Sequence, residues 1–147
     1  MSKIVGYTVG SFDMFHIGHL NILKKAKQHC DYLIVGLNSD QTMVRCKNKE
    51  PVIKYAERKQ ILEAIRYVDE VVKVECPAPG EKADDWGLRE KADVVFSGDD
   101  HKNAPEWREL IDYKEKHGGK VMFFNYTKST SSTLLRKALI EKVNSKS

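Results

Sequence analysis

Short apolar runs alternate along this chain with amphipathic stretches, and the alternation predicts its elements. Ile4-Val5-Gly6-Tyr7-Thr8-Val9 reads as a strand, followed by a helical stripe of Leu20, Leu23 and Ala26. Asp31 to Leu37 is a continuous apolar strand of the kind that parallel sheets bury on both faces. Asn38-Ser39-Asp40 offers a helix cap, and Arg45 to Pro51 reads as a basic loop. Tyr55 to Ile65 predicts a helix with Ile61, Leu62 and Ile65 on one face. A third strand is expected over Val68 to Val74, a break at Cys76 to Gly80, and a polar helix over Lys82 to Lys91. Asp93 to Ser97 is a fourth strand. A helix from Trp107 to Lys116 stops at His117-Gly118-Gly119, before a fifth strand at Val121 to Phe124. A polar loop, Tyr126 to Thr130, leads into a last helix from Ser132 to Val143, and residues 142–147 are expected to fray. Strands and helices alternate throughout. The expectation is therefore one α/β domain over residues 1–147, with a five-stranded parallel sheet and helices on both faces.

Composition narrows the class. A length of 147 residues suits one domain with a real core, and 41% apolar with 31% charged residues is an ordinary soluble balance. No apolar run approaches the ~20 residues of a membrane span. Met1-Ser2-Lys3-Ile4 enters a strand at once, which reads as no signal peptide. Cys30, Cys46 and Cys76 are an odd, scattered set that points to reduced thiols and the cytoplasm. A net charge of +4 fits a small polyanionic ligand and does not call for nucleic acid.

The chemistry gathers where strands end. Ligands of such sheets bind beyond the carboxyl ends of the strands. Three unusual segments fall there: Gly10 to His19, Gly98-Asp99-Asp100, and Tyr126 to Thr133. In the first, backbone N–H groups and the helix dipole favour an anion, and Gly10 and Gly18 allow close backbone approach. His16 and His19 add donors, each expected to be able to carry positive charge near neutral pH. Phosphate binding leads; a zinc pair or an incidental pair are the other readings of His-x-x-His. Thr127, Ser129, Thr130, Ser131, Ser132 and Thr133, with Lys128, exceed what one helix cap needs and suit the phosphates of a nucleotide. Lys47 and Lys49 are either phosphate contacts or a solvated charge run. Asp99-Asp100 could hold a divalent cation, orient a base or cap a helix. Together these pieces argue for nucleotidyl transfer, which needs positioning and positive charge rather than covalent help.

Gly10-Ser11-Phe12-Asp13 followed by His16-Ile17-Gly18-His19 resembles the opening motif of the cytidylyltransferases. Arg66-Tyr67-Val68-Asp69-Glu70-Val71, Gly98-Asp99-Asp100 and Thr127 to Thr133 resemble three further motifs, so the likeness runs from about Lys3 to Arg136. The small single-domain format is most similar to the glycerol-3-phosphate enzymes. This resemblance implies a Rossmann-like fold of nucleotidyltransferase type. It implies catalysis by His16, His19 and Lys49, with His16 and His19 stabilising the pentavalent α-phosphate. It places Ser11, Phe12, Gly18, Lys49 and Asp100 in the CTP site, with Thr127, Lys128, Ser129, Thr130, Ser131, Ser132 and Thr133 around the β- and γ-phosphates. Lys47, Lys82 and Tyr126 would meet the phosphorylated acceptor. Mg²⁺ would arrive on CTP with no dedicated protein ligands, and Arg66 to Val71 would lie near a homodimer interface. Several positions depart from the family pattern. Tyr126 stands for an Arg, Lys128-Ser129 for Glu-Gly, and His101 for a Trp; the loop from Glu75 to Lys82 is longer. Ser131-Ser132-Thr133-Leu134-Leu135-Arg136 also resembles the corresponding ending of adenylyltransferases, so CTP and ATP both stay in view. His16-Ile17-Gly18-His19 is similar, too, to a motif of class I aminoacyl-tRNA synthetases, whose other features are missing here. A cytidylyltransferase for another acceptor (phosphoethanolamine, phosphocholine or a sugar phosphate) is an alternative, and a nucleotide-binding module without catalysis is a further one.

Overall fold

A computed structural model describes residues 3–98, 103–125 and 132–145. Five parallel strands, β1 (Val5–Gly10), β2 (Tyr32–Asn38), β3 (Glu70–Val74), β4 (Val94–Gly98) and β5 (Lys120–Phe124), line up in the order β3-β2-β1-β4-β5. The order reverses between β1 and β4, so their carboxyl ends open a crevice there.

Side-chain alternation sorts the core into two layers. Leu33, Val35 and Leu37 of β2, with Val94 and Phe96 of β4, pack against Leu23 and Ala26 of α1 (Ile17–Gln28) and Leu62 of α3 (Tyr55–Glu63). Tyr7, Ile34 and Val95 face the opposite way, toward Trp107 and Leu110 of α5 (Pro105–His117). Helices therefore cover both faces, as the alternation predicts. Gly36 is fixed by packing: a Cβ there would lie 1.9 Å from the Tyr7 hydroxyl. Gly118 and Gly119 close α5 in the left-handed region, at φ 89° and 95°.

Four expected boundaries shift. Arg45 to Lys47 do not belong to a loop. They finish α2 (Asp40–Lys47), capped by Ser39, whose hydroxyl accepts the Thr42 N–H, and closed by Asn48 in the left-handed region. The polar helix is shorter, α4 (Trp86–Lys91), because Asp84 latches to Glu75 instead of joining it: each backbone N–H is bound by the other residue, at 2.9 Å. Ile61 is 37% exposed, so the buried face of α3 rests on Leu62, with Ile65 packed beside it. Residues 142–145, expected to fray, continue α6 (Ser132–Ser145), and residues 146–147 lie outside the described residues.

Candidate active site

The loop after β1 is held in an unusual shape. Phe12 and Met14 sit in the left-handed region, at φ 47° and 51°, where non-glycine residues are strained. Two buried groups impose the shape. The Asp13 carboxylate accepts the Val52 and Ile53 N–H groups, each at 2.8 Å, and pairs with Arg136. Arg58, 1% exposed, donates to the carbonyls of Ser11 (2.8 Å), Asn38 (2.9 Å) and Ile53 (2.8 Å) and to Asp40 (2.7 Å). One guanidinium thus ties together the first loop, the end of β2 and the start of α2.

His16 caps α1 with its imidazole. Its Nδ1 accepts the Gly18 N–H at 3.0 Å, and the Nδ1 of His19 accepts the His16 N–H at 3.3 Å. This is a capping box built from two histidines. With both Nδ1 atoms accepting, the neutral rings carry their protons on Nε2. The rings stack 3.9 Å apart, so their lone pairs run side by side instead of converging on one metal ion. Burial lowers the His16 pKa; burial, and then the neighbouring His16, push His19 down to about 4. Both shifts favour the neutral ring over the expected cation, most strongly at His19, whose ring meets those of Phe12 and Phe15.

A cleft of about 560 Å³ opens beyond the carboxyl ends of β1 and β4. Ser11, Phe12, His19, Lys47, Lys49 and Lys82, all expected in the site, line it. His16 reaches it only through its stacked partner; Gly18 is buried in α1 and Thr133 is exposed on α6, and neither lines it. Lys47 ends α2 and Lys49 follows the left-handed Asn48, whose turn brings both onto the same wall. Lys82 donates to Glu109 at 2.8 Å and lies over the Trp86 ring. The calls on Asp100, Tyr126, Thr127, Lys128, Ser129, Thr130 and Ser131, and on the Ser132 side chain, lie outside the described residues. Among the described residues no group of three His, Cys, Asp or Glu side chains could hold a metal ion.

Cys46, Cys76 and Arg89 line the cleft although the sequence did not single them out for the site, and Arg136, expected to reach a triphosphate, lines it as well. Arg136 had a visible signal, one turn into the last helix, and its guanidinium also donates to the Glu50 carbonyl at 3.2 Å. Arg89 is placed by tertiary contacts alone. Its guanidinium lies 5.4 Å from the Trp86 ring and 5.3 Å from the Trp107 ring. It donates to Asp85, which also accepts the buried Tyr7 hydroxyl at 2.6 Å.

The family model described as cytidylyltransferase-like matches residues 7–138. The glycerol-3-phosphate cytidylyltransferase of Staphylococcus aureus is 32% identical over 142 residues, covering 97% of this chain and 98% of its own. The bifunctional protein HldE of Syntrophotalea carbinolica is 33% identical over 95% of this chain, which spans only 28% of that protein. The crystal structure of a lipopolysaccharide core biosynthesis protein from Thermoplasma volcanium superposes with a TM-score of 0.63, at 22% identity, over 86% of this chain and 98% of that one.

Proposed function

Since this chain belongs to the cytidylyltransferase-like family, and is a nucleotidyltransferase, we propose that it moves CMP from CTP to a small phosphorylated alcohol, glycerol 3-phosphate first. The observation that carries the reading is the pair of histidines at the N-terminus of α1, each with its Nδ1 accepting a backbone N–H, beside a cleft walled by Lys47, Lys49 and Arg136. An oxygen of the acceptor phosphate attacks the α-phosphorus of CTP, and pyrophosphate leaves. No proton has to be removed from the nucleophile, so no general base is required. His16 and His19 donate to the α-phosphate oxygens as charge builds on them. Lys49 and Arg136 hold the β- and γ-phosphates, with the segment from Thr127 to Thr133, and Lys47 holds the acceptor phosphate. Ser11, Phe12 and Asp100 belong to the nucleotide side, and Lys82 and Tyr126 to the acceptor side.

Mg²⁺ fits this site as a partner of CTP. Asp13 is committed to two backbone N–H groups and Arg136, and Mg²⁺ usually binds through phosphates while keeping several waters. When bound, it supplies charge neutralisation on the triphosphate. The enzyme is proposed to act as a homodimer in the cytoplasm; no helix among the described residues is long and apolar enough to cross a membrane.

An adenylyl transfer is the second reading, favoured by the Ser-Ser-Thr-x-x-Arg ending. One panel separates them: purified chain, Mg²⁺, each of four nucleoside triphosphates and a set of phosphorylated acceptors, read by pyrophosphate release. CTP with glycerol 3-phosphate is expected to lead. An ATP rate equal to or above the CTP rate moves the chain to the adenylyl branch, and no release with any pair sinks catalysis.

A further inference from the structure

Cys46 and Cys76 stand on two different elements and meet in the cleft wall. Cys46 lies in the last turn of α2, and Cys76 follows β3 at the root of the loop closed by Glu75 and Asp84. The contact is tight. Arg45 donates to the Cys76 carbonyl at 2.8 Å, the Cys46 thiol donates to the same oxygen at 3.5 Å, and the Cys76 N–H is bound by Thr42 of α2 at 3.0 Å. The Cys76 thiol donates to the Ala78 carbonyl at 3.1 Å and to that of Glu81 at 3.6 Å, and both cysteines line the cleft. The Cys30 thiol donates to the Ala26 carbonyl at 3.4 Å and sits outside the cleft, so it serves as an internal control.

We propose that Cys46 and Cys76 form a dithiol that a peroxide closes to a disulfide across the acceptor side of the cleft. Cys46, half-buried, meets the oxidant before the buried Cys76 does. Its sulfur attacks one peroxide oxygen, the O–O bond breaks, and a sulfenic acid and one water form. The Cys76 sulfur then displaces the hydroxyl as a second water. Two thiols give up two electrons and two protons in all, and one hydrogen peroxide becomes two waters. Burial, and then the neighbouring thiol, raise the Cys46 pKa, so closure is faster in mildly alkaline buffer.

The consequence follows from what each cysteine adjoins. Lys47 is next to Cys46, and Lys82 rides on the loop that Cys76 begins. A bond between them clamps the two segments that the proposed reaction assigns to the acceptor and pulls the wall inward. This second step rests on the transferase reading; the dithiol itself does not.

The experiment treats the folded full chain with hydrogen peroxide at about pH 8.5, where thiolate fractions rise. Thiol titration should fall from three free thiols to one, with a mass loss of two hydrogens and a peptide joining Cys46 to Cys76. Cys30→Ser should keep the crosslink and Cys46→Ser should abolish it. An aryl arsenical, which condenses with two neighbouring thiols and releases one water, should bind one to one and lose that binding in Cys46→Ser. Separate oxygenated cysteines, or crosslinks between chains only, overturn the dithiol. Crosslinked enzyme should show an acceptor KM raised about tenfold or more, a CTP KM changed far less, and recovery on reduction. Equal kinetics before and after crosslinking overturn the clamp and leave the transferase reading standing. Activity missing from reduced and oxidised forms alike overturns that reading and leaves the thiol count to decide the dithiol.

Discussion

His16 and His19 serve the loop before they serve any ligand, because each ring closes one half of the α1 cap. That double use fixes a pH dependence. The unfolded rings protonate near 6.5, whereas His19 in the folded chain holds out to about 4. The folded pKa is depressed, so the unfolded chain binds more protons between those values, and stability falls as pH drops through them. His19 contributes about 3 kcal/mol at most across that window, by the usual conversion of pKa shift to free energy. Denaturant titrations at pH 7 and pH 4.5 should show a larger loss in the wild type than in His19→Asn, whose amide oxygen can still accept the His16 N–H. Equal losses in the two would remove His19 from the acid sensitivity. Catalysis carries its own expectation. His16→Ala and His19→Ala should each lower kcat on the order of 10²-fold, with a smaller change in the CTP KM, as donors that act in the transition state do. Normal turnover in both would take them out of the chemistry. The pair was legible in the sequence, since the residue types and the strand-to-helix turn are both visible there. Its charge state was not, because it depends on how Phe12, Phe15 and His16 close around His19 in the folded loop.

At the scale of elements, Arg58 and Asp13 decide where the first loop lies. Arg58 donates to three carbonyls and one carboxylate from four segments of chain, and Asp13 gathers the 52–53 backbone and α6. Removing one partner of such a buried network costs more than the pair contributes, since the others stay buried without a counterpart. Arg58→Met should therefore destabilise the chain by about 3–5 kcal/mol in urea unfolding and reduce kcat as the loop loosens. A loss below about 1 kcal/mol, the scale of a surface ion pair, would contradict the network. Neither role could be read from periodicity. Arg58 looks like one charge among Glu57, Lys59 and Gln60 on a polar helix, and only the return of β2 beside the first loop shows its target. The helix α2 was hidden for a related reason. Asp40 to Lys47 carries no apolar stripe, so its helicity depends on the Ser39 cap, the Asn48 turn and Met43 seated in the core. By contrast the strands β2 and β4 read clearly, because a strand buried on both faces leaves a continuous apolar run.

For the whole molecule, the strand order turns back between β1 and β4 and opens the site there; the alternation of strands and helices was enough to foresee the carboxyl edge of a parallel sheet but not the strand order. It could not foresee what lies across the crevice, since Arg89 reaches the cleft by stacking against Trp86 and Trp107, residues from two helices far apart in sequence. The same wider view exposes surface that one chain leaves open. Leu139, Ile140 and Val143 share one side of α6 and are 54%, 61% and 70% exposed. Among the described residues β3 has a strand neighbour on one side only, and the Arg66 to Val71 segment leads into it. Asp69 and Glu70 of that segment are engaged within the chain, with Lys27 and with Tyr32, which holds the edge in a fixed shape for a symmetric partner. A homodimer through this edge is expected, and it makes a specific demand on charge. A second copy brings a second Arg66 and a second Glu70 against the first, so reversing one sign sets like charges together across the two-fold axis. Sedimentation at micromolar concentration should give twice 16.8 kDa for the wild type and a shift toward the single chain for Glu70→Arg. A wild type that sediments only as 16.8 kDa contradicts the dimer, and a Glu70→Arg variant that stays fully dimeric moves the interface to the apolar side of α6.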